Sequence, residues 1–280
     1  VSHTLKFAKL EALANDFVLI DARVPTPDIS PAAVRYLGDR RRGIGFDQLL
    51  RLLPPSESGH LADVEIFNND GSTAEQCGNG MRAIALWLSQ NGELNAPARL
   101  KTAGGSVRVD VTDADHIEAE LPAPDFNPDA WGSISGKGCW TSRHADRTHT
   151  VCGVSTGNPH VVVTLEHPPD SALVLSLGQH LSQSRLLAHG ANVNLAWCGG
   201  RGEVELAVFE RGVGPTEACG SGACATAALL IRTGRVDSPV RITQPGGALV
   251  IHWSGDGPIR MIGPARLVFD GTTTIPDFGP

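Results

Sequence analysis

Two stretches of the chain pass through the same succession of hydrophobic and polar patterns. Val64-Glu65-Ile66-Phe67 and Val204-Glu205-Leu206-Ala207-Val208-Phe209 are alternating or apolar runs, and both read as strands. A glycine-rich turn follows each. Beyond it lie Met81–Leu88 and Ala223–Ile231, rich in Ala and Leu, free of Gly and Pro, and apolar nearly all round. That pattern predicts buried helices, with Gly92 and Gly234 as suitable C-terminal stops. Leu5-Lys6-Phe7, Phe17-Val18-Leu19-Ile20 and Val161-Val162-Val163 add further strand-like runs. Each half therefore reads as strand, glycine-rich turn, buried helix, then more strands.

The turns between strand and helix carry near-copies of one motif. Glu75-Gln76-Cys77-Gly78-Asn79-Gly80 and Glu217-Ala218-Cys219-Gly220-Ser221-Gly222 lie 142 positions apart, close to half of the 280 residues. Gly104-Gly105 with Gly246-Gly247, and Ile117 with Ile259, keep that offset; Asn15 and Asn158 differ by 143. Residues 66–121 align without a gap onto 208–263. Matched landmarks at one spacing indicate an internal duplication, and hence two domains of about half the chain each. Residues 125–149 mix Pro, Gly, Ser and charge, fall outside the gap-free repeat, and read as the connection between the halves.

One thiol per half, each just before a helix, suggests acid–base work on carbon. A helix start lowers a thiol pKa and offers backbone N–H groups, and the glycines let a carboxylate approach them. Two thiols facing each other across a cleft could remove a proton from one face of a carbon and return it on the other. A disulfide-exchange enzyme would show Cys-x-x-Cys at one helix start, and that pattern is absent.

Composition narrows the field. Net charge is −7, and Asp39-Arg40-Arg41-Arg42 is the one cationic run, read as a solvated face rather than a nucleic-acid site. No stretch is long and apolar enough to span a bilayer, and the start lacks a signal pattern, so a cytoplasmic protein is expected. No metal-ligand spacing occurs, and no Lys sits in a phosphate-binding loop, so neither metal nor pyridoxal nor any other cofactor is expected. Cys139, Cys152, Cys198 and Cys224 are expected to be reduced, small buried or incidental residues. The expected partner is a small molecule rather than nucleic acid or a membrane. A homodimer is left open.

The motifs Ala14-Asn15-Asp16-Phe17-Val18, Gly43-Ile44-Gly45-Phe46-Asp47-Gln48-Leu49-Leu50, Phe67-Asn68-Asn69-Asp70-Gly71-Ser72, Cys77-Gly78-Asn79-Gly80-Met81-Arg82, Gly157-Asn158-Pro159-His160, Glu210-Arg211-Gly212 and Ala218-Cys219-Gly220-Ser221-Gly222-Ala223 cover nearly the whole chain. Taken together, they closely resemble the diaminopimelate epimerases, cofactor-independent members of the proline racemase-like superfamily. The resemblance implies an α/β (α+β) protein of two pseudo-symmetric domains, each a strand-rich, barrel-like roll around a central helix, with the active site in the interdomain cleft. On this basis the N-terminal half is residues 1–124, with the C-terminal segment 268–280 a candidate to join it, and the second half is 125–267.

It also implies roles. Cys77 and Cys219 become the acid–base thiols, one per substrate face, with His160 and Glu210 helping them gain and lose protons. Gly78, Asn79, Gly220 and Ser221 hold the α-carboxylate. Asn15, Gln48, Asn68, Asn158, Asn192, Glu210 and Arg211 surround the substrate, several at its distal amino acid end. The implied reaction interconverts LL- and meso-2,6-diaminopimelate in lysine and peptidoglycan precursor synthesis. Three departures stand out: Leu13-Ala14 before Asn15 where the family has Gly-x-Gly, Phe46 where it has Ala, and Leu187-Ala188-His189 where it has Phe-Pro. They lie near the site, and Phe46 could reshape the pocket wall or be neutral there. They keep open a racemase of another amino acid on the same scaffold. A non-catalytic amino acid binding protein is a further alternative, against which the two retained cysteines speak.

Overall fold

The computed structural model describes residues 3–276. In chain order the elements are β1 (His3–Ala12), β2 (Asn15–Asp21), α1 (Pro31–Gly38), β3 (Gln48–Leu53), β4 (Ala62–Asn68), β5 (Thr73–Ala74), α2 (Gly78–Gln90), β6 (Ala98–Thr102), β7 (Gly105–Val111) and β8 (Ile117–Leu121). There follow β9 (Cys139–His144), β10 (Arg147–Ser155), β11 (Pro159–Leu165), α3 (Ser171–Ser182), β12 (Asn192–Gly200), β13 (Glu203–Glu210), β14 (Gly214–Thr216) and α4 (Gly220–Arg232). β15 (Val240–Gln244), β16 (Gly247–His252), β17 (Ile259–Gly263) and β18 (Arg266–Ile275) complete the set. The mixed α+β class is the one the patterns predict.

The chain forms two compact units. One runs to Ala119 and resumes at Gly263; the other is Glu120–Ile262. The return of the chain to the first unit has a direct cause, the long antiparallel pairing of β1 with β18. Of the 268–280 segment expected to join the first half, residues 277–280 lie outside the described residues.

Within the first unit β1 pairs β2 antiparallel, β2 pairs β3 parallel, β3 pairs β4 antiparallel, β4 pairs β6 parallel, and β6, β7 and β8 continue antiparallel. The second unit repeats this order and sense from β10 to β16 and on to β17. In each unit one helix crosses over between the first parallel pair and the second, buried helix between the other. A parallel pair needs such a crossover. α2 touches β1, β2, β7 and β18; α4 touches β10, β11, β12, β15 and β16. Strands from several sides of the unit therefore cover each helix, which explains why both are apolar all round.

The duplication reaches the hydrogen bonds. α2 and α4 each span 13 residues. Both close with the same pair of bonds: Gly92 N–H to Ser89 O and Glu93 N–H to Leu88 O in one, Gly234 N–H to Ile231 O and Arg235 N–H to Leu230 O in the other. Gly92 and Gly234 sit at φ +73° and +69°, the left-handed turn that a glycine makes without penalty.

Two expectations need correction. Residues 125–149 are more than a connection: they hold the strand β9 and a short 3₁₀ turn, Pro128–Trp131. Trp131 is buried in the core of the second unit with Val151, Val163, Leu177 and Leu195. Cys139 and Cys152 are not separate reduced thiols but form a disulfide. They face each other across the β9–β10 ladder, a juxtaposition set by strand register that Cys spacing alone does not reveal.

The β1–β2 turn has two residues, because Ala12 pairs with Asn15. Its corners, Leu13 and Ala14, have φ of +58° and +61°. Two-residue hairpins of this hand favour glycine and asparagine, and a side chain in the left-handed region costs about 1–2 kcal/mol. Ala14→Gly should therefore raise stability by about 0.5–1 kcal/mol after the extra freedom of the unfolded glycine is offset. A urea midpoint that stays put or falls would show that the turn is not strained.

Candidate active site

The starts of α2 and α4 are built alike. Cys77 is the N-cap of α2, in extended conformation at φ −146°, ψ 104°, and its sulfur accepts the Gly80 N–H at 3.3 Å. Cys219 caps α4 at φ −127°, ψ 108°, accepting the Gly222 N–H at 3.4 Å. A sulfur thus takes the place usually held by a Ser or Asp oxygen. The next two amides, of Gly78 and Asn79 in one unit and Gly220 and Ser221 in the other, have no intrahelical acceptor. Each unit offers a thiol beside a pair of N–H groups suited to an anion. Glycine fits closely at position 222, where a Cβ would lie 3.2 Å from the Cys219 sulfur and would push its neighbours back by a few tenths of an ångström.

In the first unit the expected residues gather at the ends of β2, β3 and β4. Asn15 opens β2, Gln48 opens β3 and Asn68 closes β4, with Gln48 and Asn68 directly opposite. Gln48 Nε2 donates to Asn68 Oδ1 at 3.0 Å, and Asn68 Nδ2 donates to Ser72 Oγ at 3.0 Å. The Gln48 Oε1 oxygen is buried with no partner among the described residues, an acceptor available to a ligand donor. Asn15 Oδ1 faces Asn79 Nδ2 at 3.4 Å and the Cys77 sulfur at 4.0 Å.

An ionic network holds Asn15 in that pose. Its Nδ2 donates to Asp47 Oδ2 at 2.9 Å. Arg40 binds Asp47 at 2.9 Å and Asp16 at 2.7 Å, and Lys9 binds Asp16 from within. The Asp47 and Asp16 backbones exchange bonds with the opposite carboxylates. Arg40 therefore braces the site while remaining on the exposed cationic face that the sequence predicts. Burial alone would raise the Asp16 pKa, but the hydrogen bonds and charges of Arg40 and Lys9 outweigh it and hold the group at about 2. Phe46 does not shape a pocket wall: it is fully buried in the core with Leu5, Val18, Ile20 and Leu49.

In the second unit His160 on β11 is enclosed and sits beside Asn192, its parallel neighbour on β12. Its Nε2 lies 3.0 Å from Asn158 Oδ1 and 3.1 Å from Ser221 Oγ. Ser221 Oγ is in turn 3.5 Å from the Cys219 sulfur. Burial pushes the His160 pKa down to about 4, so the ring is neutral at physiological pH. Burial also pushes the Cys219 thiol up, and the Glu210 carboxylate pushes it further, while Ser221 and the Gly222 amide pull the other way. Glu210 Oε1 accepts from Thr216 Oγ1 at 2.9 Å.

Asn192 Oδ1 accepts the Arg211 N–H at 2.9 Å, and Arg211 Nη1 donates to the His189 carbonyl at 3.0 Å. The Arg211 head remains solvent-facing. The Leu187-Ala188-His189 departure is absorbed as well: Leu187 joins the core, Ala188 N–H bonds the Gly132 carbonyl, and His189 lends only its carbonyl.

The structure thus brings Cys77, Asn15, Asn79, Gln48 and Asn68 together in one unit. Cys219, His160, Glu210, Asn158, Asn192, Arg211 and Ser221 gather in the other. Sequence reasoning missed Arg40, Asp16 and Asp47, although Asp16 and Asp47 lie inside the quoted motifs. It also missed Gln244, whose Oε1 accepts the Cys219 N–H at 2.8 Å, and the wholly buried Asn194, which bonds His160. A polar Asn194 inside the apolar run Val193–Ala196 was the available signal.

Comparison with known proteins gives a consistent result. A family model described as diaminopimelate epimerase matches residues 7–124 and 152–268, one block in each half. The chain is 40% identical to a diaminopimelate epimerase of Sphingopyxis alaskensis over 288 aligned positions, covering 98% of this chain and 99% of that protein. A solved hydroxyproline epimerase of Agrobacterium vitis is similar in fold, with TM-score 0.72 at 14% identity, covering 99% of this chain and 93% of that one. A predicted epimerase of Pseudomonas aeruginosa has TM-score 0.67 at 20% identity, covering 95% and 98%.

Two predictions follow from the charges. The Asp16 pKa is depressed in the folded state, so its contribution is complete above the ordinary value of 3.8 and is lost as pH falls through about 2. Asp16→Asn should be less stable at neutral pH and show a flatter loss of stability between these limits; an unchanged slope would place the acid sensitivity elsewhere. Separately, Glu210→Gln removes a charge that opposes the Cys219 thiolate. Alkylation of Cys219, followed by mass spectrometry across a pH series, should then set in at lower pH than in the unaltered protein. An identical pH dependence would show that Glu210 does not govern this thiol.

Proposed function

As the chain belongs to the diaminopimelate epimerase family, we propose that it inverts one stereocentre of 2,6-diaminopimelate by two-thiol proton transfer, interconverting the LL and meso forms. The observation that carries this reading is the duplicated helix start, in which each cysteine caps a buried helix and takes the same third-residue amide. Cys77 and Cys219 are the two acid–base groups. One, as thiolate, takes the α-proton; the other, as thiol, delivers a proton to the opposite face. The product leaves the two sulfurs with exchanged protonation states.

The substrate α-carboxylate is held by the amides of Gly78, Asn79, Gly220 and Ser221. Those donors also stabilise the charge that grows as the α-proton departs. A thiol held neutral by burial, as Cys219 is, suits the acid role, and Glu210 and His160 supply nearby acceptors when its proton must leave. Asn15, Gln48, Asn68, Asn158 and Asn192 read the polar groups of the substrate through amides that can both donate and accept. Arg211, anchored by the His189 carbonyl, takes the distal carboxylate in bidentate fashion. The reaction belongs to lysine and peptidoglycan precursor synthesis, in the cytoplasm on this reading.

The deciding experiment is incubation of LL-diaminopimelate in heavy water with the protein and its variants, scored for deuterium at the α-carbon and for isomer ratio. The unaltered protein should produce the meso form with label, while Cys77→Ala and Cys219→Ala should each abolish inversion and keep the native circular dichroism. Near-normal turnover by either variant would refute the two-thiol scheme. Arg211→Met should cost about 2–5 kcal/mol in kcat/KM for diaminopimelate and little for amino acids lacking a distal carboxylate. Faster turnover of another amino acid by the unaltered protein would instead indicate a different racemase on the same scaffold.

A further inference from the structure

Asn194, the third residue of β12, is wholly buried, and so is His160 on the adjacent strand. Asn194 Oδ1 lies 3.3 Å from His160 Nδ1. Which end of this amide faces the ring is decided on its other side. The Asn194 nitrogen donates to the Gly222 carbonyl at 3.0 Å and to Thr226 Oγ1 at 3.1 Å. A backbone carbonyl can only accept, so the amide nitrogen must point there and the amide oxygen must point at the imidazole.

The amide oxygen likewise only accepts, so Nδ1 must carry a hydrogen. The opposite tautomer would bring two lone pairs together 3.3 Å apart in a buried place, too close for a water to fit between, at a cost comparable to a lost buried hydrogen bond. The ring is neutral, held so by burial, and therefore has one N–H only. Nε2 is left as a bare acceptor. Ser221 Oγ, 3.1 Å away, must donate its hydrogen to Nε2 and turn its lone pairs outward, toward the Cys219 sulfur at 3.5 Å. Asn158 Oδ1 lies 3.0 Å from Nε2, so this tautomer requires the half-buried Asn158 amide to turn over and present its nitrogen there instead.

We propose that Asn194 is a positioning residue that locks His160 in the Nδ1–H tautomer, so that Ser221 becomes a relay from the Cys219 thiol to Nε2. The step balances. The Cys219 S–H proton passes to Ser221 Oγ as the Ser221 hydroxyl proton passes to Nε2. The sulfur is left as thiolate and the ring as imidazolium, its Nδ1–H still held by Asn194. The lock is a property of the fold; the use of the relay rests on the reading of Cys219 as an acid–base thiol.

The test is a nitrogen-15 NMR spectrum of the full-length protein with labelled histidine, in which His160→Gln identifies the resonance pair. The unaltered protein should show His160 with protonated Nδ1 and bare Nε2 at pH 7. A protonated Nε2 would overturn the proposal without any variant being needed. Asn194→Ala should give a mixture of tautomers and lower kcat at least roughly tenfold with a smaller change in KM. A single Nδ1–H form in that variant would also overturn the lock. Asn194→Asp keeps the acceptor at Nδ1, so it should retain the tautomer and move the His160 titration to higher pH, and the acid limb of kcat with it. If the tautomer is as stated but no α-proton exchange is found, the epimerase reading fails and the lock survives.

Discussion

A helix that begins inside a protein brings with it N–H groups that water cannot reach and that its own turns cannot satisfy. α2 and α4 are such helices, apolar on every side and buried from the first turn. The N-cap sulfur of Cys77 or Cys219 takes the third of these amides, and this single bond fixes the rest. It holds the sulfur beside the two amides that remain. It keeps the cap residue extended. At Gly222 it leaves little room for a side chain where the sulfur folds back. Thiol and anion seat are thus one local motif, and duplication of the unit duplicates both.

The two copies solve the surrounding electrostatics differently. In the first, full charges do the bracing: Arg40 and Lys9 hold Asp16, Arg40 holds Asp47, and Asp47 orients the neutral Asn15 beside Cys77. This network reaches the site through the neutral amide of Asn15, whose position it sets. In the second, a carboxylate acts on the thiol directly. Glu210 adds to the burial that disfavours the Cys219 thiolate, and the imidazole nearby is kept neutral.

Much of this was legible in the chain because the duplication is local in sequence. The strand, turn, thiol and helix of each half are contiguous, so periodicity and the offset of 142 residues located them, and the helices end at the glycines that the pattern names. What was not legible depends on strand register. Cys139 meets Cys152 only because β9 and β10 pair at those positions. Trp131 lies in a segment of loop-like composition, yet it packs against Trp140 and over Gly153, where a Cβ would clash with its ring. Arg40 sits in a basic run that reads as surface, and only the turn that brings Asp16 and Asp47 together makes it a brace. Asn194 was hidden in the opposite way, as one polar residue in a buried strand.

The departures from the family pattern bear on the substrate, and the structure changes their weight. Phe46 points into the core, where its volume is taken up by Leu5, Val18 and Leu49. Ala14 costs backbone strain at a turn, but Asn15 beyond it is held by Asp47 through a bond that does not involve the turn. Leu187 belongs to the core, and His189 contributes a carbonyl, which any residue could supply. None of the three replaces a polar atom of the site. On the proposed reading, a change of substrate would work through the Gln48 oxygen that has no partner among the described residues, the asparagine amides and the exposed Arg211. The motif match leaves all of these in place. In the proposed reading, a second carboxylate at the far end of the substrate gives the arginine anchored by the His189 carbonyl its chemical reason.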